Sequence, residues 1–212
     1  RPFLRTTRQR TVSLFLKSCV LIPVSIRLID NRTILGIDPG TNILGFGIIR
    51  MDTSGKPRYV DMGVLDLRKI GSPYDKLEVI NEKVGALCDL HRPDDMAIES
   101  PFYGKNAQVI FKLGRAQGAA MVAGISRGVR VFEYAPRKAK MAICGNGAAS
   151  KEQVCLIVQK TLGINIENRY MDATDALALA MCHYYQLTSP LSGTQAASSW
   201  EKFVAANPDR IK

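Results

Sequence analysis

The order of the apolar segments constrains this chain more than any single residue does. From Thr33 onward, three strand-like runs follow one another across short turns, at 33–38, 43–51 and 59–67. A helix is predicted over 74–90, because Leu77, Ile80, Val84 and Leu87 recur at spacings of three and four and Arg92-Pro93 stops it. Then come a short strand at 96–99, a helix rich in small residues at 106–126 and a fifth strand at 129–134. Further helices are predicted over 136–143, from a Ser150 cap to Leu162, and over 172–185, with Gln153 completing a capping box with Ser150. Links this short make the first three strands an antiparallel meander. The β-α-β crossovers set the two later strands parallel to the first. The expected fold is α/β, a five-stranded mixed sheet with helices on both faces.

Charge divides the chain differently. It carries 29 Lys+Arg against 19 Asp+Glu, and seven of those basic residues, with the single acid Asp30, lie within residues 1–32. The excess therefore reports a basic leader more than the folded body. Two readings of the leader stand: a poorly ordered arm or translated upstream sequence, which is favoured, and an arm that grips phosphate. Residues 33–186 make the expected domain, and 187–212 a Ser/Thr/Gly/Ala-rich linker and short tail, with one or two amphipathic turns over 200–206. No membrane span is expected, since Lys17, Pro23 and Arg27 cut the N-terminal apolar runs well below roughly 20 residues. Five Cys without C-x-x-C, and two His, argue against a zinc site or a disulfide framework and fit a reducing cytoplasm. The positive balance points to an anionic partner, nucleic acid before membrane.

Four carboxylates stand out by placement. Asp38 ends the first predicted strand and Glu99 the fourth, and Asp172 and Asp175 share a face at the start of the last helix. Ligand sites of α/β sheets lie at the carboxyl ends of strands; the first and fourth strands can be neighbours in this topology, which would bring Asp38 beside Glu99. A cap-and-dipole role explains Asp172 and Asp175 taken alone. It does not explain Glu99, which follows Met-Ala-Ile and is expected to be partly buried, where a carboxylate needs a partner. Oxygen ligands without His or Cys suit Mg²⁺ or Mn²⁺. Two such ions roughly 4 Å apart suit in-line phosphodiester displacement.

The chain resembles the RuvC family of Holliday-junction resolvases in several blocks, in order. They are ILGIDPGT at 34–41 with GFG at 45–47, AIESPFYGKN at 97–106, KLGRAQG at 112–118, EYAP at 133–136, GNG at 145–147, KEQV at 151–154 and DATDAL at 172–177. The resemblance runs from about Thr33 to about Gln186. It implies a ribonuclease H-like fold, a homodimer, and Mg²⁺-dependent paired nicking of a four-way DNA junction in recombination and repair, leaving 5′-phosphate and 3′-hydroxyl ends. It implies two Mg²⁺ per site held by Asp38, Glu99, Asp172 and Asp175, with Mn²⁺ as a substitute, and Lys140 and Lys151 as further catalytic residues. It places a junction-probing aromatic at Phe102, DNA contacts at Tyr103, Lys105, Asn106, Arg137, Lys138, Lys140 and Lys151, and the dimer seam on the 106–126 helix at Lys112, Gly114, Arg115 and Gly118. The branch-migration proteins RuvA and RuvB are implied partners.

The residues themselves leave several of these open. Phe102 serves equally as a wedge that stacks on an unpaired base, worth roughly 1–3 kcal/mol, or as a plug beneath its loop, and Tyr103 competes for the first role. Arg137, Lys138 and Lys140 form either a solvated helix face or a phosphate contact. Lys151, in a first helical turn, opposes the helix dipole, which a phosphate ligand would explain. Gly114 and Gly118 suit close packing within the chain as readily as a dimer seam. The segment Gly36–Thr41 also resembles the first phosphate loop of actin-like ATPases and sugar kinases, but about 180 residues leave no room for a second nucleotide-clamping domain. A junction binder that does not cut would leave the four acids unexplained.

Overall fold

The computed structural model describes residues 31–100, 106–165 and 171–189. The expected leader (1–32) lies outside the described residues except for its last two positions, and the expected tail (187–212) except for its first three.

Five strands are present: β1 (Thr33–Asp38), β2 (Ile43–Met51), β3 (Pro57–Asp66), β4 (Asp95–Glu99) and β5 (Arg130–Tyr134). They form one sheet in the order β3-β2-β1-β4-β5. β1, β2 and β3 pair antiparallel, while β4 is parallel to β1 and β5 to β4. This is the mixed sheet expected from the link lengths. β3 begins two residues before the predicted strand, at Pro57, which an edge strand tolerates as its first residue.

The helices are α1 (Pro73–His91), α2 (Ala107–Ile125), α3 (Pro136–Cys144), α4 (Lys151–Leu162) and α5 (Met171–Thr188). Ser72 caps α1 by accepting from the Tyr74 and Asp75 amides, and Ser150 and Gln153 form the expected capping box of α4. α1 and α2 cover one face of the sheet, over Leu35, Ile37, Met96 and Ile98. α3, α4 and α5 cover the other, over Ile34, Ile49 and Ala97. Strand alternation therefore puts Asp38 and Glu99 on the α5 side, because they continue the rows of Ile34 and Ala97.

Glycine sets how close α5 lies. Gly36 faces Gly47 across the β1–β2 ladder, and Asp38 faces Gly45. A β-carbon at Gly36 would strike the Ala176 carbonyl, one at Gly45 the Asp172 carbonyl, and one at Gly47 the Leu177 side chain. The helix thus rests its backbone directly on the sheet, and its first turn comes down beside the end of β1. Among the described residues no helix is long and apolar enough to cross a membrane.

Candidate active site

Three chain segments converge at the carboxyl ends of β1 and β4. Asp38, Asp172 and Asp175 each offer a carboxylate oxygen within 4.8 Å of the other two. Glu99 stands outside that trio but lines the same cavity of about 220 Å³, together with Asp38, Asp175, Lys140 and Lys151. The register explains the arrangement: Ile37 pairs with Ile98, so the next residues, Asp38 and Glu99, leave the sheet side by side.

The electrostatics of the cluster are unbalanced. Burial, followed by the charges of Glu99, Asp175 and Asp172, raises the Asp38 carboxyl to about 7, against the opposing pull of Lys151. Burial and then Asp175 also push Glu99 up, with Lys151 and Lys140 opposing. Lys151 is the cation in closest contact: its Nζ is 2.5 Å from Asp175 Oδ2 and 3.7 Å from Asp172 Oδ1. Burial alone would lower Lys151, yet its bond to Asp175 and the charges of Asp175, Asp38 and Asp172 raise it. The awkward position of Lys151 in the first turn of α4 thus has a local reason, a pair of carboxylates on α5 that sequence spacing did not reveal.

Two ammoniums, Lys151 and Lys140, do not neutralise four acids. Clustered carboxylates with no His or Cys among them make an all-oxygen donor set suited to a hard divalent cation, and the trio could hold one. Such an ion would offset the burial and the repulsion that together raise the Asp38 carboxyl.

The remaining expected residues distribute unevenly. Lys140 lines the cavity, its Nζ donating to the Ala149 carbonyl at 2.8 Å. Lys138 instead lies over the Tyr134 ring, 5.1 Å from its centroid, and Arg137 packs along Gly147. The Asn106 side chain caps α2, accepting from the Gln108 amide at 3.0 Å. Phe102, Tyr103 and Lys105 lie outside the described residues. On α2, Gly114 and Gly118 have no described atom within 4 Å of where a β-carbon would stand, so neither serves packing among the described residues. Lys112 and Arg115 line a second cavity, with Lys76. Sequence reasoning gave Gly36, Gly45 and Gly47 only as parts of the resembling blocks and missed that they seat α5. Their signal was glycine at alternate positions on adjoining strands, where a sheet otherwise places side chains.

Comparison with known proteins agrees with this geometry. The family model described as "Crossover junction endodeoxyribonuclease RuvC" matches residues 34–183. The crossover junction endodeoxyribonuclease RuvC of Bacteroides fragilis is 48% identical over 189 residues, covering 88% of this chain and all of that protein. The solved RuvC of Thermus thermophilus is 32% identical with a TM-score of 0.66, covering 73% of this chain and 95% of that one. The same bacterium's RuvC in complex with Holliday junction substrate is 30% identical with a TM-score of 0.65, covering 74% of this chain and 96% of that one.

Proposed function

The chain belongs to the RuvC family, and on that premise we propose that its four-acid cluster hydrolyses the phosphodiester backbone of DNA at four-way junctions. The protein is a crossover junction endodeoxyribonuclease of recombination and repair. The observation that carries the site assignment is the convergence of Asp38, Asp172 and Asp175, from β1 and α5, with Glu99 in the same cavity.

Asp38, Glu99, Asp172 and Asp175 would hold two Mg²⁺ ions, with Mn²⁺ as a substitute. When bound, these supply Lewis-acid polarisation of the phosphate and an activated water at neutral pH. Attack in line on phosphorus breaks the bond to the 3′ oxygen, leaving 5′-phosphate and 3′-hydroxyl ends. Lys140 and Lys151 line the same cavity, where they would face the scissile phosphate and offset the charge that develops on it. Lys151 also partly neutralises Asp172 and Asp175. Phe102 or Tyr103 would stack on a base at the crossover, and Lys105, Asn106, Arg137 and Lys138 would contact the strands around it.

Two opposed nicks call for two sites. The exposed face of α2 carries Phe111, Val122 and Ile125 with the open notches of Gly114 and Gly118, flanked by Lys112 and Arg115. That face supports a two-fold homodimer addressing symmetric strands. RuvA and RuvB are proposed as the branch-migration partners, and the cytoplasm as the place of action.

A synthetic four-way junction with Mg²⁺ tests the proposal. Wild type should nick opposed strands. Asp38→Asn should lose about 10³-fold or more in rate while binding the junction, about 4 kcal/mol of transition-state stabilisation. Undiminished nicking by Asp38→Asn would refute the role given to the cluster.

A further inference from the structure

The sheet edge that carries the acids has a second cavity on its other face, between α1, α2 and the loop after β1. It encloses about 340 Å³ and is lined by Lys76, Lys112 and Arg115 and by no carboxylate. Leu77 and Ile80 contribute an apolar floor. Lys76 is tied to the loop, its Nζ donating to the Thr41 carbonyl at 2.9 Å and to Asn42 Oδ1 at 3.3 Å. Lys112 and Arg115 are exposed, and among the described residues neither pairs with an acid. Three like charges gathered in a concave, partly apolar wall focus a field that only an anion relieves.

We propose that this cavity seats a backbone phosphate of the junction DNA a few nucleotides from the one being cut. The inference rests on the nuclease reading and adds to it a subsite that needs no metal. Distance favours DNA as the occupant. Thr41, which lines this cavity, lies three residues beyond Asp38, at most ~11 Å along the chain, so one stretch of strand backbone can reach both sites. The loop at 39–42 thus separates an acidic face from a basic face that takes phosphate directly. The apolar floor accommodates the sugar beside that phosphate.

The test is fluorescence anisotropy of a labelled four-way junction in EDTA, across a salt series, with sedimentation mass recorded for each protein. Lys112→Ala with Arg115→Ala should weaken binding about tenfold and lower the slope of log K against log salt by about 1, as expected when one phosphate is no longer neutralised. The charge-keeping pair Lys112→Arg with Arg115→Lys should retain both. Unchanged affinity and slope in the alanine pair would overturn the subsite. So would weaker binding accompanied by a fall in assembly mass, which would assign these cations to a subunit seam. Because the assay contains no metal and reads binding alone, its failure is separate from a failure of wild-type nicking with Mg²⁺.

Discussion

Asp38 and Asp95 stand at opposite ends of neighbouring parallel strands, both beneath α5, and their surroundings have opposite sign. Asp95 is fully buried between two guanidinium groups and an imidazole: Arg130 Nη2 at 2.6 Å, with Arg32 Nη1 and His183 Nε2 each at 3.2 Å. His183 is held in turn by the Tyr134 hydroxyl, 2.6 Å from its Nδ1, and by the Phe132 ring. Burial alone would raise Asp95, yet His183, Arg130 and Arg32 bring its carboxyl below the ordinary value. At Asp38, burial and like charges act together and carry the carboxyl to about 7. One helix therefore closes a balanced cluster at one end and an unbalanced one at the other. A carboxylate that serves only the fold brings its counter-charges with it, as Asp95 does. Around Asp38 four acids share two ammoniums, Lys151 and Lys140, of which only Lys151 is ion-paired to them, and that shortfall marks the end of α5 where an external cation belongs.

The largest effect that could break this contrast is the pH dependence of stability without metal. Folded Asp38 binds its proton more tightly than the unfolded chain does, so its contribution is fully present below pH 3.8 and is lost as pH rises through about 7. Roughly three units correspond to up to about 4 kcal/mol. Asp95 acts in the opposite sense: its contribution is present above the ordinary carboxylate range and is lost in acid. Urea unfolding in EDTA from about pH 4 to about pH 8 should show wild-type stability falling with pH, and Asp38→Asn should flatten the decline. Added Mg²⁺ at about 100 times its dissociation constant should restore about 3 kcal/mol to wild type and far less to the variant. A flat wild-type profile would remove the distinction between the two acids.

The legible part of this molecule lies in local pattern. Apolar alternation, turn residues and link lengths made the element order and the parallel or antiparallel sense of the strands legible, and a carboxylate at the last position of β1 and of β4 pointed to the sheet edge where the acids gather. The unreadable part depends on side chains meeting across elements. His183 looked merely like an argument against zinc until α5 was laid over β4, where its register places it on Asp95. Lys151 looked like a helix-dipole conflict until α4 and α5 were adjacent. Whether Glu99 joins the close trio or stands beside it is a matter of a few ångströms, which spacing along a chain does not encode.

Replacing Asp95 sharpens the comparison from the other side. Asp95→Asn removes the charge that Arg32, Arg130 and His183 share. Breaking a buried ion pair costs about 3–5 kcal/mol, and the partial exposure of Arg130 places the loss near the lower figure, about 3 kcal/mol. The cost should appear as a lower unfolding midpoint, with nicking per folded molecule retained at temperatures below the transition. Abolished nicking at unchanged stability would mean that the balanced cluster also serves the chemistry.

The smallest effect concerns what holds the two ends of α5 in register. At Gly45 a β-carbon would collide with the Asp172 carbonyl, so Gly45→Ala must lift the first turn of α5 from the sheet. Overpacking of this kind costs about 1–3 kcal/mol. Its signature is where the cost falls. Asp172 and Asp175 would move away from Asp38, so the metal-free decline in stability with pH should become shallower, while the His183–Asp95 end keeps its acid-side dependence. Gly63→Ala supplies the control, since its β-carbon would press on the Phe46 ring and on no carboxylate-bearing turn. It should lose comparable stability with the pH profile of wild type. If both variants gave the same profile, the approach of α5 to the sheet would be ordinary packing, and the imbalance at Asp38 would not depend on it.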